Sequence, residues 1–325
     1  MDKCYDCEYC RANDDLKYHY HTLPSEINPL FRKLPIAVNL FYGDPTLQWE
    51  NTINILKQLE IDKHEGIVMI VTKGKLKDIP KMSLNLHVGI SYGPDKISQD
   101  NFEYNLKVAE NSWYKYSIEF RPICNGINDS EELIRYVFSM AKKYGNVPIS
   151  YCGLQLPPKN LPEKYKPYDN REFSGQKYIS QSVNEIIRKC SNEFGISVFH
   201  KTSCMLSTVH GLNYDYNVHF LKPIGIECHK CVNREMCNNF NVSPIDLPFD
   251  YEIIEKEDYK CSFVKNGLCK VPNKECLNMK GMFIKPKLDS LTRGDVRIIK
   301  WLTGCMVSDV NNLIETPYIS DFWKK

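Results

Sequence analysis

Cys4-Tyr5-Asp6-Cys7-Glu8-Tyr9-Cys10 puts three thiols at two-residue intervals near the start of a 325-residue chain. Thiolates so spaced can grip one metal centre from a single loop. A four-iron cluster held by three of them keeps one iron open to a small molecule, because Asp14 stands where a ferredoxin run has its fourth cysteine. Zinc, completed by His19, His21 or a distant cysteine, is the alternative the ligand rules leave open. A second group, Cys228-x2-Cys231-x5-Cys237 followed by Cys261, Cys269 and Cys276, sits among Pro and Gly with little periodicity. Such a stretch needs a metal to order it, and an auxiliary iron–sulfur cluster and a structural zinc both fit.

The remaining cysteines, Cys124, Cys152, Cys190, Cys204 and Cys305, are scattered, and a lone buried thiol usually packs as a small hydrophobe. His200, His210 and His219 are expected to be packed or surface residues. Fourteen cysteines without an apolar export segment indicate a reducing compartment, so a cytoplasmic protein is expected. No apolar run reaches the ~20 residues of a membrane span, so no membrane partner is expected. A net charge of +2, from 42 basic and 40 acidic residues, gives no global electrostatic drive toward nucleic acid.

Parallel strands are expected to position these residues. Short apolar runs at 35–41, 66–73, 84–92, 114–123, 147–156 and 196–205 alternate with stretches of helical periodicity, clearest at 49–60, 130–145 and 180–195. Near-continuous apolar strands suit a sheet covered on both faces. Asn128, Asp129 and Ser130 offer N-caps for the second helix, and Gly145 and Gly195 stop the second and third. Residues 156–178 read as a long surface loop, and 292–302 as one late helix. The fold expected is α/β: a partial (β/α)6 TIM-type barrel of parallel strands over residues 1–222, with a small cysteine-rich metal-binding module over 223–325.

Over residues 4–155 the chain resembles the radical S-adenosylmethionine superfamily, and within it the spore photoproduct lyase group. Cys7-Glu8-Tyr9-Cys10 matches the C-x-aromatic-C end of the family's cluster loop, although the first gap has two residues where the family has three. Tyr42-Gly43-Asp44-Pro45-Thr46 is similar to the family's Gly-Gly-Glu-Pro turn. Ile70-Val71-Thr72-Lys73, Arg121-Pro122-Ile123 and Gly126-Ile127-Asn128-Asp129 are similar to runs in the lyase group. Cys228-x2-Cys231-x5-Cys237 is similar to the auxiliary-cluster domain of peptide-modifying members, with Asn241 where their next cysteine falls.

The resemblance implies an enzyme in which Cys4, Cys7 and Cys10 hold a 4Fe–4S cluster that chelates S-adenosylmethionine. Tyr9, Gly43, Asp44, Pro45, Thr46, Lys73 and Arg121 would bind that cofactor. Reductive cleavage would yield a 5′-deoxyadenosyl radical, and Cys124 or Cys152 could relay a hydrogen atom. The implied partners are a ferredoxin- or flavodoxin-like electron donor and a nucleic-acid base as substrate, with a peptide as the alternative. A non-catalytic zinc protein that binds nucleic acid or a partner is the rival of another class.

Overall fold

A computed structural model describes residues 29–33, 35–38, 44–154, 179–200, 202–211, 249–256, 281–287 and 306–307. In chain order the main unit has β1 (Ile36–Ala37), α1 (Trp49–Ile61), β2 (Ile67–Thr72), β3 (Asn85–Tyr92), α2 (Lys96–Glu110), β4 (Lys115–Ile123) and α3 (Glu131–Lys143). It continues with β5 (Ile149–Gly153), α4 (Gln181–Phe194), β6 (Val198–Phe199) and α5 (Thr202–Val209). A separate compact unit carries β7 (Tyr251–Lys256) antiparallel to β8 (Gly281–Pro286), with β9 (Met306–Val307) parallel to β8.

The six strands pair in sequence order, every pair parallel. Right-handed crossovers that always step the same way put their connections on one face, which is the condition for curling into a barrel. A doubly wound sheet would reverse the order midway. The sheet is accordingly curled into a half-barrel, as expected for a partial α/β barrel.

Strand parity sorts the side chains. Val68, Ile70, Leu86, Val88, Ile90, Ile118, Phe120, Ile149, Tyr151 and Val198 face the helices and join Leu56, Phe102, Leu106, Val137, Phe138 and Ile187 in one core. Each such apolar side chain contributes roughly 1.5–3 kcal/mol on burial. The opposite parity, His87, Gly89, Ser91, Ser117, Glu119, Arg121, Ser150 and Cys152, forms the inner face.

Local signals set the helix ends. The hydroxyls of Ser130 and Ser180 accept from the backbone N–H groups of Leu133 and Val183, and Asp95 caps α2 through Ser98 N. Gly195 ends α4 at φ 66°, a left-handed conformation that costs glycine little.

Two expectations are corrected. Between β2 and β3 there is no helix: residues 73–84 run extended, burying Leu76, Ile79 and Met82 while Lys75, Lys77 and Lys81 stay exposed. Gly74, Pro80 and the period-2 alternation of charge and apolarity explain the preference. The strand expected at 196–205 ends at Phe199, and Thr202–Val209 is helical. Burial of Met205 and Leu206 by α5 outweighs the β-branched signal there. The expected loop 156–178, the expected helix 292–302 and the cysteines of the second module lie outside the described residues. Among the described residues no helix is long and apolar enough to cross a membrane.

Candidate active site

The half-barrel presents its C-terminal strand ends on one side, where barrel geometry collects functional groups. Asp44 is buried ahead of the 3-10 turn Pro45–Gln48, and its carboxylate takes five donors. Oδ1 accepts from Thr46 N at 2.9 Å, Thr46 Oγ1 at 2.6 Å and Thr72 Oγ1 at 2.5 Å. Oδ2 accepts from Lys73 N at 2.7 Å and Gly74 N at 3.2 Å. This clamp ties the Asp-Pro-Thr turn to the end of β2, so whatever the turn offers a ligand comes from its backbone. The Lys73 ammonium pairs with Asp95 at 3.6 Å, both side chains being mostly buried.

Glu119 lies one strand further along the sheet from Gly89, fully buried in the middle of β4. A Cβ on Gly89 would come within 2.9 Å of Glu119 Cγ, so the absence of a side chain there makes room for the carboxylate. Glu119 Oε2 accepts from Arg121 Nε at 2.9 Å, Thr202 Oγ1 at 3.0 Å and Ser150 Oγ at 3.2 Å. Arg121 Nη1 donates to Thr202 Oγ1 at 3.0 Å. A buried carboxylate is thus satisfied by a guanidinium and two hydroxyls, as burial of a charge demands.

Toward the other end of the inner face, His87 Nε2 meets Ser117 Oγ at 2.9 Å and His87 Nδ1 meets His210 Nε2 at 3.2 Å. Burial, then His210 and Lys115, hold His87 down to about 3. Burial and Lys115 hold His210 down to about 4. Both rings are therefore neutral at pH 7, one donating and one accepting. Since Thr202 touches Glu119 and His210 touches His87, α5 runs along the inner face. Below it, a cleft of ≈ 270 Å³ opens among Glu65, Asn85, Trp113, Lys115 and His210 at the N-terminal strand ends, lined by none of the expected site residues.

Of the expected site residues, Asp44, Pro45, Thr46 and Lys73 are drawn together by the Asp44 clamp. Arg121 joins Glu119 instead. Cys124 and Cys152, both buried, sit at the ends of the neighbouring strands β4 and β5. Burial, followed by Asp129 and Cys152, pushes the Cys124 thiol up to about 12. It stays protonated, which suits hydrogen-atom donation and not thiolate attack. Tyr9, Gly43 and all nine cysteines assigned to metal lie outside the described residues. Among the described residues no three His, Cys, Asp or Glu side chains are grouped to hold a metal ion.

Expectation and structure agree that His200 is packed: its ring lies 4.4 Å from that of Tyr151, with Nε2 3.1 Å from the phenol oxygen, and burial lowers it to about 4. His219 lies outside the described residues. Sequence reasoning missed Glu119, Ser150 and Thr202. A charged residue inside the apolar run YKYSIEFRPI was the available signal, because an acid in a doubly covered strand must have a partner.

No protein family, curated protein or solved structure matches the chain.

Proposed function

We propose that the chain is a radical S-adenosylmethionine enzyme whose cluster is held by Cys4, Cys7 and Cys10 and whose substrate is a modified nucleic-acid base. The observation that carries this reading is the inner face of a singly wound parallel half-barrel, lined by small and polar residues and bearing a buried Glu119–Arg121 pair near its C-terminal end. A core-only role would favour bulky branched side chains there.

The described residues suit a polar, zwitterionic cofactor. Lys73, Asp95 and Arg121 provide both signs of charge at strand ends, and Gly89, Ser117 and Ser150 keep the lining small. When bound, the cluster and S-adenosylmethionine supply an electron and a carbon-centred radical for hydrogen abstraction. This chain's own part is to hold the turn after β1 rigid through Asp44, to orient Arg121 through Glu119, and to keep the Cys124 thiol protonated.

Cys7→Ala tests the assignment. The variant is expected to lose the iron of the first cluster and all formation of 5′-deoxyadenosine, whereas Cys231→Ala is expected to keep that cluster's spectrum. Undiminished cleavage in Cys7→Ala contradicts the assignment.

A further inference from the structure

The Glu119–Arg121 pair does more than neutralise a buried charge. Glu119 is fully buried, whereas the Arg121 side chain is 29% exposed, so the guanidinium lies on the open side of the carboxylate. Arg121 belongs to the inner-face parity and stands two residues nearer the C-terminal end of β4 than Glu119. A guanidinium has five N–H donors in a rigid planar fork. Among the described residues Arg121 uses Nε on Glu119 and Nη1 on Thr202. The Nη2 edge is not engaged by them.

The fork is held from behind at three points. Nε is fixed by Glu119 Oε2; that oxygen is itself fixed by Ser150 and Thr202; and Thr202 also takes Nη1. Gly89 leaves the space in which the Glu119 stem lies. Restricting a guanidinium on one edge lowers the entropy lost when the other edge binds. Because the carboxylate cancels much of the cation's charge, such a site selects by directed paired hydrogen bonds and not by long-range attraction. The ligand chemistry that matches a planar pair of donors is an oxyanion with two coplanar oxygens, a carboxylate or a phosphate.

We infer that Arg121 is an oxyanion-reading residue of the half-barrel and that Glu119 is its positioning residue, a role that rests on the active-site reading of this face. The oxyanion could be the carboxylate of an aminocarboxylate cofactor or the phosphate of a nucleotide. The two sources share one chemistry and separate by experiment.

The test uses the full chain with its metal, prepared anaerobically, and two pairs of probes in equilibrium binding. S-adenosylhomocysteine is compared with 5′-methylthioadenosine, which lacks the aminocarboxylate, and thymidine 5′-monophosphate with thymidine. In Arg121→Gln and in Glu119→Gln, affinity for the oxyanion-bearing member of one pair is expected to fall about 10- to 100-fold, with its oxyanion-free partner unchanged. The pair that responds names the source. Arg121→Lys, which keeps the charge and loses the fork, is expected to show the same selective loss and serves if either Gln variant fails to fold.

Equal losses for both members of a pair would make the residues merely structural, and no selective loss in either pair would overturn the inference. Formation of 5′-deoxyadenosine is read in parallel. Cleavage without Arg121-dependent discrimination removes the inference and keeps the enzyme class; discrimination of nucleotide phosphate without iron or cleavage does the reverse.

Discussion

His87 and His210 meet on the inner face, joined by one hydrogen bond and held neutral by burial with Lys115 nearby. An unfolded histidine titrates near 6.5, whereas these titrate at about 3 and about 4. The folded state therefore binds fewer protons than the unfolded state between those values. Their neutral forms support the fold fully above pH 6.5, and that support is lost as pH falls through the window toward 4 and 3. The expected cost is on the order of 1 kcal/mol per pH unit for each ring. Urea denaturation at pH 7.5 and pH 5.0 checks this: the wild-type midpoint is expected to drop, and that of His210→Gln to drop less. Equal drops in both proteins would mean that the pair is not the source.

At the scale of elements, the extended connection 73–84 replaces a helix and must find backbone partners elsewhere. Asn105, buried on α2, supplies both: its Oδ1 accepts from Leu76 N at 2.8 Å and its Nδ2 donates to Gly74 O at 2.8 Å. Trp113 Nε1 donates to Ile79 O at 3.1 Å. Asn105→Ala leaves two buried backbone groups unsatisfied and is expected to destabilise by about 1–3 kcal/mol, with faster amide exchange at Leu76. Unchanged exchange at Leu76 would show that Asn105 does not hold the segment. This connection also marks where sequence reading failed. Strands β2 to β5 and the helices at 49–60, 130–145 and 180–195 were legible, because continuous apolar runs and 3.6-residue periodicity are local signals. The extended course of 73–84 depends on a side chain some thirty residues away. The helix at Thr202–Val209 depends on the inner face it covers, and the Glu119 network joins residues of β4, β5 and α5. Asp44 and Lys73 were legible as a turn and a strand end; their mutual clamp was not, since it forms only when β2 comes beside that turn.

For the whole molecule, sequential parallel pairing, helices α1–α4 packed against one face and a polar opposite face together describe a scaffold whose chemistry belongs inside the half-barrel. The central claim is that this interior serves a radical S-adenosylmethionine reaction. The most direct measurement is iron and zinc analysis of anaerobically purified protein, followed by reduction with dithionite in the presence of S-adenosylmethionine and assay for 5′-deoxyadenosine. About four irons or more per chain, with the nucleoside formed, is the predicted result. Zinc in place of iron, with S-adenosylmethionine left intact, would contradict it.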